Sequence, residues 1–439
     1  MTPASLDTVV SGIYQLLWWA STPFLRHNHR LAEGYAQRCI AHPHLSQAGL
    51  WIQSASAGEA YLTWEILKQL APESPMRVLV TTNTSQGMGI LQQAATDIST
   101  SNSNMEIQVS YFPFDSPAIM KQAVRLVQPK LMVLLETELW PGLLSCLKQA
   151  ECRILLINGR LTPKSLSHYM IWPSFWHRRR PDIICATSPQ DRDRFCKLFG
   201  SHGVSIMPNI KFDRLTNDNL SSQPFMDNAN VLATHEKFLI LGSVRKAEEK
   251  DIQKIIQSVL ERQPDTVIGL FPRHMHRINH WQKALQGLGI PWTSRSGTQL
   301  HNGGVVLWDV FGELSLAYPL ASAAFVGGSL ASLGGQNFLE PLVKGVPTVI
   351  GPFWENFKWV GVEILDKGIL HQANTWKEVA DFLVAGIINP PDREALKNKA
   401  ITYIKSRQGG TAVACELIRE YLKKGSVGDT RVVQGLEGS

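Results

Sequence analysis

The chain has 439 residues, too many for one ordinary hydrophobic core, and this length predicts two domains of similar size. Hydrophobic residues make up 44% and charged residues 18%, which excludes a collagen-like or mostly disordered chain. The formal charge of +6 suits an anionic surface or a small anionic substrate as well as nucleic acid. No aromatic RNA-binding signature or zinc-finger spacing favours nucleic acid. The six cysteines form no CxxC pair, which predicts free thiols in a reducing cytoplasm.

Residues 9–25, VVSGIYQLLWWASTPFL, are the first predicted element, an apolar segment without a formal charge. Its length is the lower limit for spanning a bilayer, while Gln15, Pro23 and the paired Trp18 and Trp19 suit a helix in the membrane interface. The basic stretch RHNHR follows without a small-residue cleavage site, which argues against a removed signal peptide. We predict that residues 1–30 form a membrane anchor or interfacial helix with its basic flank on the cytoplasmic side. A hydrophobic helix packed on the protein itself is the alternative.

Residues 45–213 alternate short apolar runs with stretches long enough for helices. The runs GLWIQSA, MRVLVTT, IQVSYFP, KLMVLLE, RILLING and DIICATS predict six strands. Continuous apolar strands separated by helices are typical of a parallel sheet covered on both faces. This region is therefore expected to be an N-terminal Rossmann-like domain.

A polar stretch, residues 214–234, follows and is interpreted as a linker. The alternation restarts over residues 235–392 with KFLILGS, TVIGLFP, GVVLWD, AAFVGGS and VPTVIGP, which predict five strands of a second Rossmann-like domain. Residues 393–424 are predicted to be helical and residues 425–439 to be a flexible tail. The predicted fold class is α/β, with two doubly wound domains whose strand carboxyl ends face one cleft, where such folds bind ligands.

Polar loops follow most of the predicted strands, and their order is informative. The first domain contains SASAGEAY, ETELWP, NGRL and NIKFD; the second contains PRHMHR, FGE and GGSLASLGGQNFLEP. In these motifs residues 10–400 or so resemble the Kdo transferases of lipopolysaccharide synthesis, where Kdo is 3-deoxy-D-manno-oct-2-ulosonic acid. The chain departs from the family's usual wording at Ala57 (usually Val), Gln336 (usually His) and Phe338 (usually Pro), and at residues 243–246, where Ser-Val-Arg-Lys replaces a loop resembling Ser-Thr-His-Glu.

The resemblance implies a membrane-associated glycosyltransferase of GT-B architecture that needs no metal and no cofactor. Its N-terminal domain would bind a lipid A precursor and its C-terminal domain CMP-Kdo, and Kdo would be transferred with inversion on the cytoplasmic side of the inner membrane. The alternatives are a GT-B enzyme that uses a UDP-sugar and a catalytically silent membrane scaffold. Glu59, Arg273 and Glu340 together argue against the scaffold, which has no need of all three.

Glu59 follows Gly58 where a strand gives way to a helix, so it is either a first-turn glutamate favoured by the helix dipole or a base. The resemblance implies the general base that takes the proton of the acceptor hydroxyl; CMP leaves easily and needs no acid. By the same resemblance Glu136 and Lys211 support the transition state, the carboxylate near the anomeric carbon and the lysine near the phosphate or the Kdo carboxylate. Otherwise Glu136 would be a polar strand end and Lys211 an exposed linker charge.

Glu138 lies two residues after Glu136, which raises the possibility of a carboxylate pair. We expect no acid/base pair, because two residues apart at a strand-to-helix switch they do not share a face. Glu138 is expected instead to help start the next helix, where a negative charge is favourable.

The predicted CMP-binding residues follow strands of the second domain. Arg273 has the fork geometry that suits a phosphate. The glycines at 327 and 328 are expected to let backbone N–H groups approach an anion, and Glu340, three residues after Asn337, to bind the ribose hydroxyls. The resemblance implies nine CMP contacts, although FGE alone could be a plain helix start: Pro272, Arg273, Phe311, Gly312, Glu313, Asn337, Phe338, Leu339 and Glu340.

Two other patterns give weaker hypotheses. His274 and His276 could suggest a metal, but no cysteine or carboxylate completes a ligand set, so we predict no metal site. Asp191 and Asp193 match a DxD motif nominally and are expected in the first turn of an exposed helix. The HRRR run at residues 177–180 is either a solvated face or a contact for acceptor phosphates or anionic lipid.

Overall fold

The computed structural model describes residues 3–42, 44–101, 104–215, 237–297 and 303–423. They form two compact units. The first contains the described residues up to Arg214 together with those from Arg407, and the second lies between them. Most of the predicted linker and the whole predicted tail lie outside the described residues.

The first unit contains a seven-stranded parallel sheet of order β3-β2-β1-β4-β5-β6-β7. Every residue of its two central strands is buried, as expected when helices cover both faces. Along the central strand β4, Met132 and Leu134 belong to one hydrophobic core while Leu131 and Val133 belong to the other. The strands are β1 Leu50–Ser54, β2 Met76–Thr82, β3 Met105–Tyr111, β4 Leu131–Leu135, β5 Arg153–Gly159, β6 Ile183–Ala186 and β7 Val204–Ile206.

Helices connect these strands on both faces of the sheet, and several begin with a proline or with a serine or threonine cap. The helices up to residue 199 are Pro3–Leu25, His29–Ala32, Tyr35–Arg38, Ala57–Leu70, Ser85–Ser101, Pro117–Val127, Pro141–Gln149, Pro163–Tyr169, Pro173–His177 and Pro189–Phe199.

The helix Gly410–Lys423 completes the first unit from the far end of the chain. Its buried side chains Ala414, Cys415, Leu417 and Ile418 join one of the two cores of the first sheet. Asp213, itself buried, holds the start of this helix: its carboxylate accepts hydrogen bonds from the Gly409 N–H at 2.7 Å and from the Thr411 N–H and hydroxyl at 2.6 Å each.

The second unit contains another seven-stranded parallel sheet, of order β10-β11-β9-β8-β12-β13-β14. Its strands are β8 Phe238–Val244, β9 Val267–Pro272, β10 Trp292–Ser294, β11 Gly304–Leu307, β12 Ala323–Val326, β13 Thr348–Ile350 and β14 His371–Gln372. Its α-helices are Glu249–Arg262, Ile278–Gly287, Leu314–Ala317, Leu339–Leu342, Glu363–Asp366, Trp376–Ile388 and Arg393–Lys405.

The α/β class and the two Rossmann-like sheets are confirmed, and each predicted apolar run forms a strand. Sequence patterns missed three strands, β7, β10 and β14. All three lie at a sheet edge and have two or three residues. None is fully buried, so none carries the apolar run that reveals a central strand.

The N-terminal helix Pro3–Leu25 packs on the protein itself, as one of its two alternatives expects, and its contact with a membrane stays a prediction. In the described part of the chain no helix is long and apolar enough to cross a bilayer. One face packs on the first unit: the Trp18 ring lies 5.8 Å from the Phe114 ring, and the Tyr35 hydroxyl donates to the Thr22 carbonyl at 2.9 Å. The opposite side exposes an apolar stripe of Ile13, Leu16, Leu17, Trp19 and Phe24.

Replacing Asp213 by alanine is expected to lower the free energy of unfolding by about 2 kcal/mol, because buried N–H and hydroxyl groups lose a charged acceptor. Urea unfolding measures this change. Asp193→Ala, which removes an exposed carboxylate from the same unit, serves as the control and should change the free energy by less than about 0.5 kcal/mol. Equal midpoints for the two variants would contradict the assignment.

Candidate active site

Glu59 lies in the first turn of the helix Ala57–Leu70, directly after β1. Its side chain turns back toward the strand: the Ala55 N–H donates to Oε2 at 2.7 Å and the Ser56 hydroxyl to Oε1 at 2.9 Å. Ser56 in turn accepts from the Glu59 N–H, so the two residues cap the helix reciprocally. The carboxyl group is therefore buried and held in one orientation.

Burial and the negative charges of Glu138 and, to a smaller extent, Glu136 together raise the pKa of Glu59 to about 8, although the hydrogen bonds from Ala55 and Ser56 lower it. A carboxyl group with such a pKa accepts a proton far more readily than an ordinary glutamate. This proton affinity, close to neutral pH, is what a general base requires. The structure thus shows Glu59 as a first-turn cap, and its role as a base stays a prediction.

Glu136 and Lys211 form an ion pair, with Lys211 Nζ 2.6 Å from Glu136 Oε1 and both side chains only about one-fifth exposed. Glu136 follows β4 directly and has a left-handed backbone with φ of 55°, which is strained for a residue other than glycine. Such strain is common where a side chain must be aimed into a functional site. The two residues that the sequence pairs only by resemblance are thus brought together.

Lys211 belongs to the fold and not to an exposed linker. It lies in the one-turn 3₁₀ helix Ile210–Phe212, where the Asn209 side chain accepts from its N–H at 3.0 Å. The Ile210 N–H donates to Asn158 Oδ1 at 3.0 Å, which ties this turn to the end of β5. Side chains from the ends of β1 and β4 and from a turn bound to β5 therefore form one acidic and basic cluster.

The prediction that Glu138 starts a helix is wrong. The helix Pro141–Gln149 begins three residues later and has no acidic residue in its first turn. Glu138 Oε2 instead accepts from the Trp140 indole N–H at 2.6 Å and weakly from Gln53 Nε2 at 3.5 Å. Burial raises the pKa of Glu138 as well. Its charge acts on Glu59 more than that of Glu136 does.

A buried chain of hydrogen bonds holds Gln53 in place beneath Glu138. The Trp51 indole N–H donates to the Thr81 hydroxyl at 2.9 Å, and this hydroxyl donates to Gln53 Oε1 at 2.6 Å. The Gln53 amide group must then direct its N–H groups toward Glu138. No sequence motif predicted this chain, because its members come from two strands whose pairing only the fold sets.

In the second unit, Arg273 directly follows β9, and its exposed side chain leaves the sheet at the strand's carboxyl end. The Arg273 N–H donates to the Val244 carbonyl at 2.8 Å, which fixes the backbone of the loop. Burial and the charge of nearby Arg245 lower the pKa of His274, and His276 and Arg273 lower it further. Such a concentration of positive charge suits a phosphate or a carboxylate.

Asn337 and Glu340 contact each other, with Asn337 Nδ2 2.8 Å from Glu340 Oε1. Burial raises the pKa of Glu340, which Asn337, Lys344 and then Arg273 oppose. Arg273 is therefore within electrostatic reach of Glu340. Phe338 and Leu339, by contrast, are almost fully buried, and the Leu339 N–H donates to Asn337 Oδ1 at 3.2 Å, so neither is exposed as a ligand contact would be.

In the FGE motif the Phe311 side chain is exposed, whereas the Glu313 side chain is hydrogen-bonded within the protein. Phe311 is 76% exposed, and Gly312 has φ of 93°, a conformation that favours glycine. The Glu313 carboxylate, however, accepts from the Trp308 indole N–H at 2.8 Å and from Arg295 Nε at 3.1 Å. These bonds hold Glu313 as part of the fold, while Phe311 offers a ring on which a base could stack.

The expectation that the backbone after β12 binds a ligand anion is not met. The N–H groups of Gly328, Ser329 and Leu330 donate to the carboxylate of Glu248 at 2.6 to 2.9 Å, and Gly327 N–H donates to the Gly242 carbonyl. A buried side chain of the protein thus occupies this set of donors. No sequence pattern indicated Glu248, which is far from the glycines along the chain.

The HRRR run is neither a plain solvated face nor a continuous basic patch. Arg179 is buried, with its guanidinium 3.8 Å from the Phe175 ring and its Nε 2.6 Å from Ser145 Oγ. Arg180 donates to the carbonyl groups of Phe199 and His202. At least these two arginines stabilise the fold.

In the described residues, neither the His274–His276 pattern nor the Asp191–Asp193 pattern belongs to a cluster of metal-ligating side chains. Across the described ranges no group of three or more His, Cys, Asp or Glu side chains is arranged to hold a metal ion. His274 and His276 stack with ring centroids 5.5 Å apart. Asp191 lies in the first turn of the helix Pro189–Phe199, as predicted.

Two Rossmann-like parallel sheets define the fold class, the two-domain α/β fold of GT-B type. A solved UDP-N-acetylglucosamine 2-epimerase matches with a TM-score of 0.57 over 88% of this chain and 99% of that chain, at 14% identity. This level of identity speaks for a common fold alone.

Similarity in sequence is more specific than the fold. The family model described as 3-Deoxy-D-manno-octulosonic-acid transferase (kdotransferase) matches residues 29–214, which contain Glu59, Glu136 and Lys211. The 3-deoxy-D-manno-octulosonic acid transferase of Haemophilus influenzae is 28% identical over 410 residues, covering 91% of this chain and 93% of that protein. The corresponding protein of Bordetella pertussis is 25% identical over 384 residues, covering 85% and 88%. The chain is thus similar to Kdo transferases over most of its length.

Glu138→Gln is expected to lower the pKa of Glu59 below about 8, because a neutral amide removes the charge that raises it most after burial. Carbon-13 NMR titration of labelled glutamate carboxyl groups measures the shift. Glu65→Gln changes a glutamate of the same helix that pairs with Lys68 at the surface and should leave the Glu59 midpoint unchanged. An unaltered or higher midpoint in Glu138→Gln would show that the two carboxyl groups are not coupled.

Proposed function

We propose that the protein transfers Kdo from CMP-Kdo to a hydroxyl group of a lipid A precursor, with inversion at the anomeric carbon. One observation carries this proposal: the buried carboxyl group of Glu59, its pKa raised to about 8, beside the Glu136–Lys211 ion pair. Similarity to the Kdo transferases supports the choice of sugar.

Glu59 in its carboxylate form takes the proton of the acceptor hydroxyl as the oxygen forms its bond to the anomeric carbon. The bond between that carbon and the CMP phosphate breaks on the opposite face, and CMP leaves with the electron pair. A phosphate leaving group needs no general acid, so one buried base is enough. Ser56 and Ala55 keep the base oriented, since both donate to it.

Positive charge develops on the sugar ring during this displacement, and Glu136 is the carboxylate that stabilises it. Lys211 holds Glu136 at 2.6 Å and supplies the charge that balances the Kdo carboxylate.

The donor nucleotide is bound by the second unit. Arg273 binds the CMP phosphate through two parallel N–H groups, and Glu340, oriented by Asn337, accepts from the ribose hydroxyls. Phe311 stacks on the cytosine and Gly312 contributes backbone groups, while the buried Pro272, Phe338 and Leu339 shape the loops from within. Glu313 supports this loop through Trp308 and Arg295 and does not contact the nucleotide itself.

The protein lies on the cytoplasmic face of the inner membrane through its N-terminal helix. The apolar stripe of this helix supports the proposal, because leucine, phenylalanine and tryptophan side chains favour the boundary between head groups and acyl chains. Arg26, which follows the helix, is exposed and suits an anionic lipid surface.

Glu59→Gln is expected to lower the transfer rate by a factor on the order of 10² to 10⁴ and to leave CMP affinity unchanged, because the amide cannot accept a proton. Mass spectrometry of the acceptor after incubation with CMP-Kdo measures the transfer. Glu136→Gln should lower the rate severely as well, whereas Glu65→Gln should not. Near-normal transfer by Glu59→Gln would overturn the assignment of the base.

Arg273→Ala is expected to weaken CMP binding by about 2 kcal/mol through loss of a charge-assisted phosphate contact. Calorimetry with CMP measures the affinity, and Arg262→Ala, which removes an exposed arginine of the same unit, is the control. Wild-type protein that binds UDP better than CMP would favour the UDP-sugar alternative. Binding of neither would favour a silent scaffold.

Replacing Leu16 and Leu17 together by serine is expected to release the protein from anionic lipid vesicles, because two exposed apolar side chains of the stripe are lost. Vesicle flotation measures the bound fraction. Ile388→Ser, which changes an exposed apolar side chain of the second unit, is the control. Unchanged flotation of the double variant would exclude the stripe as the membrane-binding surface.

A further inference from the structure

Asp115 joins three separate elements of the first unit. Its carboxylate accepts from the Tyr14 hydroxyl at 2.8 Å and from the N–H groups of Gly142 and Leu143 at 2.7 Å each. Only 1% of Asp115 is exposed. Burial raises its pKa to about 6, and the three donors oppose this shift, so the group is ionised at neutral pH.

The contact between Asp115 and the helix Pro141–Gln149 is too close for any intervening side chain. A Cβ atom at Gly142 would overlap the Asp115 carbonyl oxygen and would lie 2.9 Å from Oδ1. The carboxylate also meets the positive end of the helix dipole. Asp115 therefore fixes where this helix begins.

The start of that helix is connected directly to the candidate active site. Residues 136–140 precede Pro141, and Trp140 both donates to Glu138 at 2.6 Å and packs on Phe112, with ring centroids 5.6 Å apart. A shift of the helix start would move Glu138 and Glu136, and with them the charges around Glu59.

On its other side the Asp115 segment carries the N-terminal helix. Besides the Tyr14 bond, Gln15 Oε1 accepts from the Ala118 N–H at 3.0 Å, and Trp18 packs on Phe114. Residues 112–118 thus lie between the helix that bears the apolar stripe and the loop that bears the glutamates.

We propose that Asp115 is a positioning residue that couples the N-terminal helix to the loop at residues 136–140, so that contact of the helix with a bilayer places the glutamates for an acceptor embedded in that bilayer. The inference rests on the proposed function. The coupling runs through hydrogen bonds. The Tyr14 hydroxyl connects the N-terminal helix to the Asp115 carboxylate, and this carboxylate accepts from the N–H groups at the start of the helix Pro141–Gln149. No covalent step involves Asp115.

Tyr14→Phe tests the coupling, because it removes this one hydroxyl and keeps the ring and the Asp115 bonds to Gly142 and Leu143. We expect transfer to a lipid A precursor in anionic vesicles to fall about tenfold, as for one lost hydrogen bond to a charged group. Transfer to the same acceptor stripped of its acyl chains, CMP affinity and vesicle binding should all stay at wild-type values.

Tyr35→Phe is the matched control. It removes the hydroxyl that donates to Thr22 of the same N-terminal helix at 2.9 Å, without touching Asp115, and should leave the vesicle reaction within about twofold of wild type. Equal losses with both acceptors in Tyr14→Phe, a loss of vesicle binding, or the same loss in Tyr35→Phe would each overturn the coupling.

Hydrogen–deuterium exchange provides a readout that does not depend on the reaction. Vesicles should slow exchange at residues 136–143 in the wild type and much less in Tyr14→Phe. Wild-type protein that transfers no Kdo to either acceptor would contradict the proposed function alone, whereas unchanged exchange in the wild type on adding vesicles would contradict the coupling alone.

Discussion

The parallel pairing of β1 with β4 is the constraint on which the candidate site depends. Their register places Gln53 beside Leu134, so the two strands end side by side at the same edge of the sheet. Glu59 then follows one strand and Glu136 the other, and β5, paired with β4, adds Asn158 and through it the turn that carries Lys211. Residues far apart in the chain become neighbours because parallel strands end together.

The sequence predicted the fold wherever burial leaves a pattern. Both sheets and every central strand follow from apolar runs such as LMVLL in β4, which has helices on both faces. The strands β7, β10 and β14 escaped prediction because an edge strand pairs on one side and need not be apolar. Backbone hydrogen bonds to a neighbour define these strands, and that neighbour is unknown until the sheet is assembled.

The candidate site was predictable where motifs carry chemistry and not where partners come from elsewhere in the fold. Motif resemblance grouped Glu136 with Lys211, and in the structure Lys211 Nζ lies 2.6 Å from Glu136 Oε1. The prediction for Glu138 was wrong because its spacing from Glu136 does not indicate that Trp140 and Gln53 donate hydrogen bonds to it. The backbone after β12 was expected to bind a ligand anion, yet the N–H groups of Gly328 and Ser329 donate to the Glu248 carboxylate. A distant carboxylate of this kind has no local signature.

Because the helix Gly410–Lys423 packs on the first unit, the core of that unit is completed only late in protein synthesis. Synthesis runs from the N-terminus, so the first sheet leaves the ribosome with the face that Cys415 and Ile418 later cover still bare. The whole second unit is translated before this face can be closed. A nascent chain therefore carries an unfinished first core while residues 215–406 are synthesised, and a premature stop after residue 406 would damage the N-terminal unit, not the one beside the stop.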